Sequence, residues 1–517
     1  MQNRVIKVLF LVFLSMIIVF GFNTSQKVNA AENKDQVMLV YDSENTTDKG
    51  NKKIDALQRV LTSMNLKVRT LSQSKYKSGM LTKKYLGIIS MVNWDQVGFV
   101  NKSFIKDRNN FSGIKLHIGN NISKDEVSSL GAKSSKLYQQ QLTLKNKGSS
   151  QILPFSETIT VLTDLPDGSQ TIGVLNTQQP DLKTYGYGII NGKNGYLPYF
   201  DSTGLSYLTA VEMISKLFAK QGSFLPMLTI TGVSPISDLK MLDKVSEFCY
   251  KNKIPFAIST TSVADNTGMK AFTRFTSELR NIENRGGIIF IKSPEVAGSG
   301  NNSSELRQVL TSYIVSLAKD KVYPVGISTD GFWNQDKILR KNFLMSADHW
   351  ILLPNSNVTY LKQDNRSQIA DMSYLGIKAS SLKDVKKSAK TKFTTPTAIL
   401  FPLPGSNVEL ASFKEEINKF VWFNPKKAGM TTAISTGTST VSFKNGDYFV
   451  NGKKENIDTA NSSSVFNKTI KKKAVLKNYF NVQGNVLMIL FAVITIILII
   501  FILLGRRIYW NGFNKRK

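Results

Sequence analysis

The sequence predicts an α/β chain: an N-terminal open α/β sheet domain followed by a (β/α) barrel, then a stalk and one C-terminal transmembrane helix. Three observations carry this expectation. Short apolar runs alternate with stretches whose apolar residues recur at helical spacing, first from Gln36 to about Phe218 and again from Leu225 onward. The second series repeats at about 30 residues per strand–helix unit, which suits a closed or partly closed barrel. A run without charge, Val486 to Leu504, lies near the C-terminus.

The N-terminus comes first. Arg4 and Lys7 precede an apolar run from Val8 to Phe22, and Val28-Asn29-Ala30 offers the small residues that signal peptidase needs. Residues 1–30 are therefore expected to be a signal peptide, with an uncleaved anchor as the alternative. Either way the bulk of the chain is exported. One cysteine, Cys249, excludes an intrachain disulfide. A large exported protein without disulfides fits a Gram-positive surface better than a eukaryotic secretory pathway.

Residues 34–220 read as a flavodoxin-like α/β domain. Val37–Tyr41 is a buried strand. Ile54, Leu57, Val60, Leu61 and Met64 mark a helix. Leu66–Leu71, Leu86–Val92 and Ile114–Ile118 are further strands. Three more follow at Thr158–Leu162, Thr171–Leu175 and Tyr187–Ile190, and a helix at Tyr207–Phe218 closes the domain. The loop from Asp42 to Gly50 stands where such folds bind phosphate. It lacks a glycine cradle and carries acids, so no cofactor is expected there. A protein-contact or structural domain is the preferred reading.

Residues 224–425 form the second series. Strands are expected at Met227–Val233, Pro255–Ser259, Ile288–Ile291, Val322–Ile327, Trp350–Leu353 and Ala398–Phe401. Helices are expected from about Asp238, at Phe272–Ile282, at Leu306–Leu317 and around Glu415 and Glu416. Residues 426–485 read as a hairpin, with Asn445-Gly446 at its turn, and a polar stalk. The run 486–504 just crosses a hydrocarbon core of about 30 Å. Arg506, Arg507, Lys515, Arg516 and Lys517 follow it, so the tail 505–517 is expected to be cytoplasmic by the positive-inside rule. The predicted location is the cell membrane, single-pass, with the N-terminal bulk outside.

Within the second series, three segments stand in a telling order. They are Leu228-Thr229-Ile230-Thr231-Gly232-Val233-Ser234-Pro235, then Asn252-Lys253-Ile254-Pro255-Phe256-Ala257-Ile258-Ser259, then Arg285-Gly286-Gly287-Ile288-Ile289-Phe290-Ile291. Together they resemble an uncharacterised family of polysaccharide-deacetylase-like proteins over about Phe224 to Phe423. The resemblance implies a deacetylase-like barrel acting on a polysaccharide. Such enzymes use a divalent metal to polarise the acetyl carbonyl and activate water. The resemblance also implies an acidic pair at the end of the first strand and two histidines after the Gly-Gly strand. Those positions fall at Thr231 and Gly232, and at Lys292 and Val296. A glycine has no ligating side chain, and a lysine cation repels a metal. The chain is thus identified as a degenerate member that lacks the metal ligands.

The remaining motifs add no chemistry. No HExxH, CxxC, Walker loop or GxSxG is present. The two histidines, His117 and His349, read as structural, and Cys249 as a small core residue. Barrel ligands bind at the C-terminal strand ends. This makes Ser234, Glu295, Asp330 and Trp333 candidate glycan contacts, with the Trp333 indole stacking on a sugar ring or, alternatively, entering the core beside Phe332.

Without the three basic residues of the signal peptide and the five of the tail, the outside portion has 59 Lys and Arg against 37 Asp and Glu, a net of +22 that attracts polyanions, so anionic wall polymers are candidate partners, unless it reflects a generally basic proteome. Nucleic acid is not expected outside the cell. Three functions follow: a pseudoenzyme that assists synthesis, export or binding of a surface polysaccharide, or docks on the synthesis machinery; a hydrolase with a non-standard site; or a surface protein making only protein contacts. The first is preferred, with no metal and no cofactor.

Overall fold

A computed structural model of the chain describes residues 35–43, 48–178, 182–261, 263, 267–294, 303–355, 364–457, 488 and 490–507. The expected signal peptide lies outside them. Contacts divide the chain into two compact units, residues 1–462 and 463–517.

The first half of the larger unit opens with β1 (Gln36–Tyr41), α1 (Asp48–Ser63), β2 (Lys67–Ser72) and β3 (Tyr85–Met91). It continues with α2 (Lys102–Asn109), β4 (Ile114–Ile118) and α3 (Lys124–Ser129). Then come β5 (Lys133–Gln140), β6 (Thr143–Asn146), β7 (Ser149–Ile152), β8 (Ser156–Thr163) and β9 (Gln170–Asn176). β10 (Thr184–Asn191), β11 (Asn194–Leu197) and α4 (Gly204–Leu217) complete it.

Nine of these strands form one sheet in the order β2-β1-β3-β4-β11-β10-β9-β6-β7. β2, β1, β3, β4 and β11 run parallel, and the rest add antiparallel. β1 and β3 are buried on both faces, which explains their nearly continuous apolar runs. β5 and β8 pair separately. At the switch point between β1 and β3, the Asp42 carboxylate accepts the backbone N–H groups of Ser43, Asn93 and Trp94. A built-in anion thus takes the N–H donors at the place where a phosphate would bind in this topology.

The second half is a closed parallel barrel, β12-β13-β14-β15-β16-β17-β18. Its strands are β12 (Met227–Val233), β13 (Ala257–Thr261), β14 (Ile288–Lys292), β15 (Gly326–Asp330), β16 (His349–Leu353), β17 (Met372–Lys378) and β18 (Thr397–Pro402). β12 pairs with β18 to close the ring. Helices α5 (Leu239–Lys251), α6 (Lys270–Asn284), α7 (Ser303–Lys319), α8 (Phe332–Gln335), α9 (Lys337–Asn342) and α10 (Asn407–Ile417) connect the strands. Asp238 caps α5 by accepting the N–H groups of Lys240 and Met241.

Two barrel strands differ from expectation. The fourth begins at Gly326 rather than Val322, because Pro324 has no N–H to give a ladder. β17 was not expected: Ser373 and Gly376 interrupt its apolar pattern.

The predicted stalk is also corrected. After the barrel come β19 (Thr431–Ser435), β20 (Thr440–Lys444), β21 (Asp447–Val450) and β22 (Lys453–Glu455), an antiparallel sheet. The Asn445-Gly446 turn joins β20 to β21, with both residues at positive φ. The sheet is fixed to the barrel by Asp348, whose N–H donates to the Ala433 carbonyl, and by the Thr432 hydroxyl, which donates to the Val325 carbonyl at 2.7 Å. Any stalk therefore starts later, and residues 458–487 lie outside the described residues.

In the second unit, α11 (Leu490–Arg507) has a mean hydropathy of 2.4. Among the described residues it alone is long and apolar enough to cross a membrane.

Candidate functional site

The C-terminal strand ends of the barrel are where a ligand of this fold would sit. At the first of them the chain makes a bulge. Ile230 pairs with Ile258, but the next partner pair is Val233 with Thr260. The intervening Thr231 and Gly232 are out of register with β13, although Thr231 still pairs with Pro402 of β18, and Gly232 adopts φ +78°. A side chain there is strained even though no atom blocks it. The Thr231 hydroxyl donates to the Phe401 carbonyl, and the Leu403 N–H donates back to the Thr231 carbonyl. The loop beyond is closed on itself: the Ser237 hydroxyl donates to the Gly232 carbonyl and lies 3.1 Å from the Ser234 hydroxyl. Both positions that the resemblance assigns to an acidic pair are thus absorbed into a locally bonded bulge.

Around the ring, Lys292 ends β14, half-buried, opposite Thr261 and Ser328. The Ser259 and Ser328 hydroxyls lie 2.7 Å apart, and those of Ser293 and Thr329 lie 2.8 Å apart. These buried hydroxyls near the strand ends are therefore paired with one another. Glu295 and Val296 lie outside the described residues. Among the described residues, no three His, Cys, Asp or Glu side chains converge as a metal site requires.

The far side of the mouth is covered. Helix α1 of the N-terminal half lies over β15 and β17. Asp55 and Arg59 stand one turn apart on its buried face, and their carboxylate and guanidinium pair at 2.9 Å. Arg59 Nη1 also donates to the Gly376 carbonyl of β17 at 3.1 Å. Burial works against the Arg59 charge, but Asp55, Tyr207 and Asp330 outweigh it and hold the guanidinium above its ordinary pKa. The Asn355 N–H reaches Asp55 at 3.4 Å, and the Asn355 side chain accepts from the Phe332 N–H. Gly331, directly after β15, makes this approach possible: a Cβ there would stand 2.3 Å from the Asp55 carboxylate. A cavity of about 240 Å³ remains beside the pair, lined by Lys52, Ser202, Tyr207, Pro354 and Lys378 among others.

Two candidate glycan contacts are corrected by these facts. Asp330 is buried beneath α1 and helps hold Arg59 charged. Trp333 is 1% exposed, with its indole packed between Phe332 and Phe343 at ring separations of 6.2 and 5.3 Å. It is a core residue in this arrangement and offers no free face to a sugar. Ser234 and Thr231 stay partly exposed at the open side of the mouth.

Both histidines are buried. His117 lies between Glu126 at 2.9 Å and the Asn120 carbonyl at 3.0 Å, and Arg108 pairs with the same Glu126. Burial opposes the Glu126 charge, but His117 and Arg108 hold its carboxyl far below the usual range. Sequence reasoning missed this carboxylate partner, nine residues away across a strand and a turn. Burial pushes His349 down to about 4, so its ring is neutral at pH 7. Burial likewise pushes the Cys249 thiol up to about 12, as for an inert core cysteine.

No family model matches the chain, and no curated protein matches it. Among solved structures, a family 4 carbohydrate esterase from Bacillus anthracis is similar over 38% of this chain and 80% of that one. The identity is 13% and the TM-score 0.23, too low to carry any argument about this chain.

Proposed function

We propose that the chain is a membrane-anchored extracellular pseudoenzyme that binds a cell-surface polysaccharide, or guides it during synthesis or export, without hydrolysing it. The observation that carries this reading is the state of the barrel mouth. Thr231 and Gly232 form a bulge whose backbone strains any side chain at 232. Lys292 adds a cation where the resemblance calls for a ligand, and α1 lies over β15 and β17. Hydrolysis by the metal-dependent route needs the opposite: an accessible metal with an acid to accept a proton. The sequence resemblance supplies the polysaccharide, and α11 supports the anchor.

The full chain in detergent micelles, incubated with Zn²⁺ or Co²⁺ and desalted, is expected to keep sub-stoichiometric metal and to release no acetate from acetylated chitooligosaccharides. It is expected to bind at least one glycan class on an array of bacterial surface polysaccharides. Stoichiometric metal with acetate release would overturn the pseudoenzyme reading. Silence on the array would leave a protein that makes only protein contacts.

A further inference from the structure

A second cavity, distant in sequence from the mouth motif, lies where the two halves of the larger unit meet. Its volume is about 520 Å³, within the roughly 300–1,000 Å³ typical of ligand sites. One wall is apolar: Leu205, Leu208 and Val211 of α4, Leu375 and Ile377 of β17, and Phe393. The rim is cationic, with Lys147, Lys386, Lys390 and Lys392. Glu212 is the one carboxylate in this lining, and both its oxygens are engaged, one by Lys147 at 2.7 Å and one by Asn146 at 3.2 Å. Among the described residues of this lining, the other three lysines therefore have no carboxylate to match them.

The lysine-bearing loop is held in place. The Lys386 N–H donates to the Ser149 hydroxyl at 2.8 Å, which ties the loop to β7. The Ser388 N–H donates to the Thr391 hydroxyl, and the Thr391 N–H returns to the Ser388 carbonyl. Phe393 and Phe224 exchange both backbone hydrogen bonds at 2.9 Å. Nearby in sequence, Lys387 is taken up by Glu416, and Asp384 does not line the cleft. A cleft lined by one sign of charge focuses its field and concentrates counter-charged ligands.

We propose that this cleft binds an anionic glycan, with a sugar ring against the Leu208–Phe393 wall and its phosphate or carboxylate on Lys386, Lys390 and Lys392. The mixed lining favours this class over a lipid. Asn146, Ser149, Ser388 and Thr391 add polar groups to the lining, whereas an acyl chain wants continuous apolar surface. The proposal rests on the polysaccharide-binding reading and gives it a site outside the barrel mouth.

The test uses the full chain in zwitterionic nanodiscs, titrated with poly(glycerol phosphate), with polygalacturonate and with neutral dextran. Lys386, Lys390 and Lys392 are exposed, so the triple variant K386E/K390E/K392E keeps the core intact. A control, K77E/K83E/K84E, makes the same charge change at exposed positions elsewhere. The expected result is at least a tenfold loss of affinity for one of the two polyanions in the cleft variant and under twofold in the control. Binding should weaken as salt rises, as for exposed charges. The two polymers tell phosphate from uronate. Equal losses in both variants, or binding only to nanodiscs doped with phosphatidylglycerol, would overturn the proposal. Retained binding to neutral glycans alone would sink this site and leave the polysaccharide reading standing; no binding to any glycan would sink both.

Discussion

Arg59→Met isolates what holds α1 against the covered side of the barrel mouth. The substitution keeps the length and apolar stem of the side chain but removes the charge that pairs with Asp55 and the donor that satisfies the Gly376 carbonyl. Asp55 then stays buried without its cation. Removing one partner of a buried ion pair costs about 3–5 kcal/mol, because the other charge is left uncompensated. The lost bond to Gly376 belongs to the same event and does not add in full. At roughly 2–4 °C per kcal/mol for a large domain, the melting temperature should fall by at least about 6 °C. Scanning calorimetry measures the loss, and hydrogen exchange should place the new opening in α1 and β17 rather than in the β19–β22 sheet. Asp55→Asn alone should also destabilise, yet the double variant should cost clearly less than the two losses added, by about 2 kcal/mol. A loss under about 1 kcal/mol for Arg59→Met, or strict additivity, would refute the view that this pair fastens the two halves across the mouth.

Two further predictions concern buried groups. Burial, helped by Asp243, raises the Glu278 carboxyl from 4.5 to about 8. Between those values the folded state holds a proton that the unfolded state has released, so stability falls as pH rises from about 5 to 8, by up to about 4–5 kcal/mol. Glu278→Gln should flatten that slope in urea titrations at pH 5 and pH 8, and an unchanged slope would exclude Glu278 as its source. Trp333→Ala should cost about 3–5 kcal/mol through the cavity it leaves, with no change in glycan affinity per folded molecule. Weakened glycan binding at undiminished stability would instead return Trp333 to the binding surface.

What could be read from the sequence follows the physics of burial. β1, β3 and β14 are enclosed on both faces, so their composition is mostly apolar and their positions stand out. β5 has no fully buried residue, and Lys133-Ser134-Ser135-Lys136 gives no alternation to detect. Short strands such as β6, β7 and β11 are fixed by partners in the sheet rather than by their own four residues. The mouth divides in the same way. That Thr231 and Gly232 are not acidic is visible locally, because a motif is local. Its structural counterpart is not: Arg59 meets Gly376 across 317 positions, and no pattern within either segment announces the other. Trp333 was ambiguous for a related reason, since a strand-end aromatic is compatible with stacking or with burial until Phe343 is seen beside it.

The cover over the mouth gives the bulge at Thr231-Gly232 a structural context. A hydrolase must keep its strand ends open, and it bears the cost of unpaired polar groups there. In this chain Gly331 admits α1 to within contact of the strand end, Asp330 helps keep Arg59 charged, and Arg59 satisfies a carbonyl of β17. Each of these groups serves the junction between the two halves. On the proposed reading, placing an acid at 231 or 232 would therefore not by itself create a metal site. Thr231→Asp would also need Lys292 replaced and α1 displaced, and displacing α1 costs the ion pair already valued at about 3–5 kcal/mol. The proposed binding cleft at the same junction needs none of these changes, because its lysines lie on a loop that the junction itself holds in place.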